Sequence, residues 1–339
     1  MSTDGRAPPR RALVLGATGH IGQAIVHELL AQGWQVTATT RQSQPEALAG
    51  LGPHLTVARG DADRPGQLAA WVPGHDAVFD AAAPYPVHLF VTSGDTAQAP
   101  LAQARQRTAA LLDAVGRAGA VLAYVSSFTT LPRPADEGPL GALEAWARRR
   151  LHPYFAVKAA MEAMVLQAAG AGLPAAVLNP SACLGPWDRR PRELCVVPLL
   201  AAGQVPALVR QPLNVIDVRD VARAARLALE QRLFGQPIAL AGHDSRSDQL
   251  AAQVCRLAGV AAPRRRWPAR LVAGGMLSIE AGWAMLGWPS PVPALGSLLV
   301  LEGHAMPPSE AQRRLGVLPR PLADTLRDAL AWYRRIGYC

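Results

Sequence analysis

Tyr154 and Lys158 stand four apart in the stretch YFAVK, at the start of a predicted helix. Residues i and i+4 share a helix face. The lysine ammonium can then lie near the phenol and pull its high pKa toward the working range. A phenol tuned in this way can give a proton to a carbonyl oxygen. A Tyr and Lys at this spacing also occur by chance on many helices, so the pair gains meaning only from its company. Ser126 and Ser127 provide it, closing the predicted strand in AYVSSF about thirty residues earlier. In a doubly wound sheet, ligands sit beyond the carboxyl ends of the strands, and a serine there can donate a hydrogen bond to a carbonyl. Neither serine lies in a G-x-S-x-G elbow, which disfavours a hydrolase nucleophile.

The glycines of LVLGATGHIGQAIVHELLAQG have a second kind of chemistry in view. Gly16, Gly19 and Gly22 are spaced three apart, directly after an apolar strand and directly before a helix. The first glycine permits a tight turn, the second lets backbone approach phosphate, and the third allows close helix packing. The helix N-terminus then offers free N–H groups and a partial positive charge to a pyrophosphate. An acidic residue about twenty positions on would take the ribose hydroxyls of NAD. The next strand instead ends Thr39-Thr40-Arg41-Gln42. A guanidinium there suits a 2′-phosphate, so Arg41 argues for NADP(H), with NAD(H) still possible because the arginine could simply stack on adenine.

These groups need a frame. Apolar runs of strand length recur at Ala12–Leu15, Gln35–Thr39, Leu55–Ala58, Ala77–Ala81, Val121–Ser126 and Ala175–Leu178. Helical stripes lie between most of them. Ile21, Ile25 and Leu29 form one that stops at Gly33; Ala104, Thr108, Leu111, Leu112 and Val115 form another; Phe155 to Ala168 is a third. This alternation predicts an α/β fold, a Rossmann-type doubly wound parallel sheet over residues 11–180. After Pro180 proline and glycine punctuate the chain, and a smaller, discontinuous substrate region is expected at 181–217 and 232–320. A helix at Val218 to Gln231 returns to the first domain, and residues 321–339 carry a C-terminal helix with Leu326, Leu330 and Tyr333 on one side. Ser309 to Gln312 has capping-box spacing.

Composition narrows the classes. The 339 residues are half hydrophobic and 17% charged, enough for a large core and too few charges for broad disorder. The net charge of +9 can attract anions. Its clusters at Arg148–Arg150, Arg189–Arg192 and Arg264–Arg266 have no aromatic interleaving, so no nucleic-acid partner is expected. The four cysteines lack paired short spacing and the histidines form no ligand motif, so no metal is expected. The first residues show no charged-then-apolar pattern, so no signal peptide is expected. Leu271 to Trp288, interrupted by Glu280 and four glycines, makes a poor membrane span. A cytoplasmic protein is the resulting expectation.

Taken in order along the chain, the glycine turn, the strand-end serine and Y-x-x-x-K resemble the short-chain dehydrogenase/reductase superfamily, in its extended branch. GATGHIG is similar to the extended-type fingerprint through Thr18, Gly19 and Gly22, which places His20 and Ile21 at the cofactor as well. RGDADRPGQL resembles the family's G-D segment, so Asp61 and Ala62 would meet the adenine. FDAAAP resembles the strand-4 end, where Ala81 and Ala82 line the cofactor. LNPSACLGPWD resembles the segment in which Asn179, Pro180 and Ser181 approach the nicotinamide. NVIDVRDVARA and PPSEAQRRLG resemble later landmarks. The Asn-Pro pair and Arg41 draw the resemblance toward dihydroflavonol-reductase-like and bacterial hydroxysteroid-dehydrogenase-like proteins. It implies that Ser127 polarises a substrate carbonyl, with Thr129 assisting, that Tyr154 donates the proton, and that Lys158 lowers the tyrosine pKa and holds the nicotinamide ribose. It also implies that homodimers are possible. Two departures stand out: AQARQRT replaces an asparagine-bearing helix segment near Thr108, and Pro84 to Gln103 is a long connection that would border the substrate mouth.

The expected activity is therefore NADPH-dependent reduction of a small-molecule, hydrophobic ketone or aldehyde. A nucleotide-sugar epimerase or dehydratase with bound NAD is the alternative enzyme, and a non-catalytic NADP-binding sensor or scaffold the alternative of another kind. Trp187, Trp267, Trp283 and Trp288, with Leu271, Met276, Leu277, Ile279, Met285 and Leu286, could form a lid over an apolar or aromatic ketone but are expected chiefly to form the second region's own core; Arg264–Arg266 beside them could touch anionic lipid but are expected to be solvated.

Overall fold

The computed structural model describes residues 10–64, 66–82, 99–133, 153–192, 195–288, 290 and 294–339. In chain order the strands are β1 Arg11–Leu15, β2 Gln35–Thr40, β3 Leu55–Arg59, β4 Ala77–Asp80, β5 Val121–Val125, β6 Ala175–Pro180, β7 Ala182–Leu184, β8 Leu208–Val209, β9 Pro212–Asp217, β10 Pro237–Leu240, β11 His243–Arg246 and β12 Arg266–Trp267. The described helices are α1 His20–Ala31, α2 Gln67–Trp71, α3 Ala99–Ala118, α4 Pro153–Gly170, α5 Val196–Ala201, α6 Val218–Glu230, α7 Ser247–Ala258, α8 Ala269–Met285, α9 Leu295–Leu301, α10 Glu310–Leu315 and α11 Leu322–Arg335.

The main sheet has seven strands in the order β10-β6-β5-β4-β1-β2-β3, and each pairing within it is parallel. Strand side chains alternate between faces, and β1 shows what that does here. Ala12 and Val14 join a core with Ile25, Leu29, Val221 and Ala225 of α1 and α6. Leu13 and Leu15 point the other way, into a core with Leu111, Val157 and Met161 of α3 and α4. Both faces are apolar because both are covered by helices. The order reverses between β1 and β4, which opens a crevice at their carboxyl ends.

Several expected boundaries shift. β5 stops at Val125, which frees Ser126 and Ser127 from the strand, whereas β6 runs on through Asn179 and Pro180 because β10 pairs with it there. β10 thus lies in the main sheet, although its residues fall in the stretch assigned by sequence to the substrate region. Ala99 to Gln103, read as the end of a long connection, open α3; residues 84–98 of that connection, like the Arg148–Arg150 cluster, lie outside the described residues. Ser309 accepts from the Gln312 N–H as a capping box requires. The Gln312 side chain, however, bonds both the N–H and the carbonyl of Ala241 instead of turning back.

Beyond the sheet, Leu200, Leu208, Leu250, Val254, Leu326, Leu330 and Tyr333 form a third core. The expectation for the apolar 267–288 stretch fails in large part. Trp267, Leu271, Ile279, Met285, Leu286 and Trp288 are exposed. Only the other side of α8 is packed: Ala273 is buried and Leu277 partly so, against Tyr154, Phe155, Leu295 and Leu298.

Candidate active site

The turn from β1 into α1 is built by two glycines that admit no side chain. Gly16 has φ +72°, and a Cβ there would come within 2.9 Å of the Ala82 backbone. At Gly22 a Cβ would lie 2.1 Å from the Gly16 carbonyl oxygen. The third glycine seats α1 hard against the turn, and Gly19 is its N-cap, with no side-chain cap of its own. The first amides of the helix are therefore open to an anion.

A cleft of about 650 Å³ opens at this turn, lined by Gly16, Thr18, Gly19, His20, Arg41, Asp61, Ala62, Ala81 and Ala82. Nine sequence candidates thus share one wall. Ile21 does not join them, because its side chain packs on the α1 core, and Gly22 serves the packing just described. Gln42, Asp63, Gln103, Arg107, Arg189 and Arg190 also line the cleft. Of these, Arg189 and Arg190 lay in a cluster already visible in sequence.

Arg107 fills part of the α3 segment that departs from the family pattern. It makes a two-pronged pair with Asp80, at 2.7 and 2.9 Å, and approaches Asp63 at 3.3 Å. Arg107 and Asp80 are buried, and the fork geometry satisfies both charges. The pair ties α3 to the end of β4 beneath the cleft. Burial holds the His20 pKa down at about 4, despite the neighbouring Asp188 carboxylate, so the ring is neutral near pH 7.

At the neighbouring strand ends the second set gathers. Tyr154 and Lys158 stand on one face of α4, both buried. The Tyr154 hydroxyl lies 3.4 Å from Ser127 Oγ. Ser127 also accepts from the Thr129 N–H and hydroxyl, at 3.2 and 3.0 Å, as the cap of a short 3-10 turn. The Lys158 ammonium lies 3.4 Å from the Val125 carbonyl. Burial lowers its pKa to about 8, although the Asp80 and Glu162 carboxylates pull the other way. Ser126 is turned from this group and donates to Glu162.

Glu162 is the residue that sequence reading missed. It follows Lys158 by one further turn of α4, so Tyr154, Lys158 and Glu162 form a single stripe. Its carboxylate also accepts from Thr130 Oγ1 at 2.6 Å and Asn179 Nδ2 at 2.7 Å. Asn179 reaches the Ser127 carbonyl at 3.2 Å as well. One buried carboxylate thus fixes the β5 end and the β6 end to the helix that carries the tyrosine. Asn179 is a strut in that network. Pro180 ends β6, and Ser181 follows it, its N–H donating to Leu240 at 3.0 Å.

The two sets sit along one sheet edge, at the ends of β1, β4, β5 and β6. Several buried polar atoms there have no hydrogen-bond partner among the described residues, namely His20 Nε2, Asn179 Oδ1 and Ser181 Oγ. Buried polar atoms in native proteins normally find partners. Together with the side-chain-free turn, these orphans fit an extended polar ligand such as a dinucleotide. Among the described residues, no group of three or more His, Cys, Asp or Glu could hold a metal, and no helix is long and apolar enough to cross a membrane.

Comparisons with known proteins bear on the family and the fold. The chain is 30% identical over 336 residues to sterol demethylase protein B of Methylococcus capsulatus, covering 96% of this chain and 98% of that protein. It is 29% identical to a putative dihydroflavonol 4-reductase of Synechocystis, covering 96% of this chain and 95% of that one. Among solved structures, that of gox2253 superposes with a TM-score of 0.76 at 27% identity, covering 98% of this chain and 99% of that chain. The UDP-glucuronic acid 4-epimerase of Bacillus cereus, solved with UDP-glucuronic acid and NAD, shares the fold at a TM-score of 0.70 and 17% identity, with 96% and 99% covered. The model of the NAD dependent epimerase/dehydratase family matches residues 12–239. The chain belongs to that family of NAD(P)-dependent enzymes, the extended branch of the short-chain dehydrogenase/reductase superfamily.

Proposed function

We propose that the chain is an NADPH-dependent reductase of a hydrophobic ketone or aldehyde, reversible as an alcohol dehydrogenase. The observation that carries this reading is the buried set at the strand ends, with the Tyr154 hydroxyl 3.4 Å from Ser127 Oγ and Lys158 on the same helix face. When bound, the dinucleotide supplies the hydride. Ser127 donates a hydrogen bond to the substrate carbonyl, which makes its carbon a better hydride acceptor. The Thr129 hydroxyl, donating to Ser127 Oγ, orients that hydroxyl for the task. Tyr154 gives its phenolic proton to the carbonyl oxygen. Lys158, protonated below pH about 8, stabilises the phenolate left behind and holds the nicotinamide ribose. Asn179, Pro180 and Ser181 border the nicotinamide, while Asp61 and Ala62 take the adenine.

Preference for NADPH rests on Arg41, which stands exposed at the end of β2 on the cleft wall, where no acidic residue follows Thr40. Arg189 and Arg190 also line the cleft, Arg190 held in a two-pronged pair with Asp188 and Arg189 3.3 Å from Glu46. The apolar character of the substrate is supported by Phe155, Leu295 and Leu298 around Tyr154 and by the names of the sterol- and dihydroflavonol-directed relatives. Residues 11–180, with α6 and β10, would hold the cofactor, and most of the remainder the substrate.

The test is NADPH oxidation by the purified protein against ketones and aldehydes graded by size and polarity, with Tyr154→Phe alongside. Turnover of apolar carbonyls that Tyr154→Phe reduces at least a thousandfold, with NADPH affinity nearly unchanged, is the expected result. Equal loss of turnover and NADPH affinity would make the tyrosine structural. Stoichiometric NAD retained through purification, with turnover of nucleotide sugars and no added cofactor, would replace the reductase reading with an epimerase.

A further inference from the structure

Among the described residues, ten large hydrophobic side chains are exposed, and six of them lie between Trp267 and Trp288. The most open are Met285 at 85%, Leu271 and Leu286 at 71% each, and Trp288 at 65%. Monomeric soluble proteins rarely gather so many on one patch unless something covers it. On α8 the exposed positions beyond Arg270 in the first turn are Leu271, Gly274, Gly275, Ser278, Ile279 and Met285, with no charge among them, and the exposed Leu286 caps the helix. The opposite side of the helix is occupied by the contact with Tyr154, Phe155, Leu295 and Leu298.

Charge tells what the cover is. From Gln249 to Leu301 the only acidic residue is Glu280, which is 2% exposed and accepts from the Ala294 N–H at 2.9 Å. The basic residues of the same span include Arg264, Arg265, Arg266 and Arg270, all exposed, immediately before or within the first turn of α8. Arg266 is partly neutralised by Asp248 at 3.6 Å. An uncharged apolar face with cations at one end is suited to lie in a lipid headgroup layer, its side chains in the acyl boundary and its arginines on anionic headgroups. A protein partner would need acidic side chains at one end only; an anionic bilayer presents both surfaces at once.

We propose that α8 and its flanking arginines are a membrane-surface docking element specific for anionic phospholipid bilayers. The helix lies on the surface without spanning it. Because its inner side walls Tyr154, docking brings the candidate active site against the lipid phase. An apolar substrate could then enter without crossing water, a consequence that rests on the reductase reading; the docking itself does not.

The experiment is co-sedimentation of the full chain with vesicles of phosphatidylcholine alone and of phosphatidylcholine with 40% phosphatidylglycerol. The expected result is at least tenfold tighter binding to the anionic vesicles, weakened by 0.5 M salt through screening. A triple variant, Leu271→Gln, Ile279→Gln, Leu286→Gln, and a double variant, Arg264→Gln, Arg265→Gln, should each lose at least tenfold. Both replace exposed side chains, and unchanged thermal unfolding would show that they fold. Failure of the wild type to sediment with anionic vesicles overturns the proposal, as does binding that neither variant weakens. So does a wild-type dimer in sedimentation velocity that the triple variant dissolves, since a second copy would then cover the face. These readouts need no turnover, so a failed carbonyl screen and failed docking remain separate results.

Discussion

Arg41 and Lys158 are two cations doing opposite work. Arg41 is exposed on the cleft wall, free to meet a phosphate. Arg41→Asp should therefore invert cofactor preference, lowering kcat/KM for NADPH at least tenfold relative to NADH; an unchanged ratio in steady-state assays removes the argument for NADP(H). Lys158 is buried, and its pKa falls from 10.5 to about 8 because the charged form is desolvated. Between those two values the unfolded chain holds a proton that the folded chain has released, so stability rises with pH in that window. The cost of the buried charge is fully present below pH 8 and fades toward pH 10.5. Relative to Lys158→Met, the wild type should thus gain stability between pH 8 and 10.5, by at most about 3 kcal/mol, as followed by urea midpoints at each pH. Catalysis should run the other way, with reductive kcat/KM falling above pH about 8 as the ammonium is lost. At this scale much of the site was legible, because Y-x-x-x-K and the strand-end serines are local patterns. Glu162 was legible in principle, one turn beyond Lys158 on the same stripe. Its partners Ser126 and Thr130 follow β5 and Asn179 lies in β6, however, and no spacing along the chain announces that they converge. The Asp80–Arg107 pair was hidden for the same reason.

Elements were read well wherever periodicity had one cause. Strands β1 to β6 and helices α1, α3, α4, α6 and α11 fall within a few residues of their expected bounds, since their apolar patterns answer directly to burial, on both faces in the inner strands and much less in the edge strand β3. α8 was misread because an apolar helix looks the same in sequence whether protein or something else covers it. The capping box at Ser309 was half right: the glutamine found a better use at Ala241, a residue no local rule could foresee. The β1–α1 turn gives a prediction at this scale. Gly22→Ala would set a methyl against the Gly16 backbone, which cannot yield as a flexible side chain would. α1 must back away from the turn, at a cost of about 1–3 kcal/mol. The same displacement should weaken dinucleotide binding at least tenfold, measured by calorimetry beside a denaturant titration. Stability lost without loss of binding would mean that the turn is not the phosphate cradle.

The whole molecule is stitched from distant parts of the chain. β10 completes the main sheet beside β6, and α6, which follows β9 directly, packs against α1. Asp188, just after the β6–β7 segment, accepts from Tyr333 Oη at 2.8 Å, and its backbone carbonyl accepts from Trp332 Nε1 at 3.1 Å. That fastens α11 beside the cofactor side. A chain cut after Arg232 would therefore leave β6 as an open edge with unpaired backbone groups. It should accumulate in the insoluble fraction on expression; a soluble, monomeric fragment would show that the sheet closes without β10.

The late arrival of β10 also governs how the protein is born. During synthesis the ribosome must add nearly sixty further residues after Pro180 before the strand that seals β6 exists, which takes roughly 3 to 11 seconds at ordinary elongation speeds. For that interval the nascent chain carries a nearly finished sheet with one sticky flank, and a holding chaperone would have its natural point of attachment there.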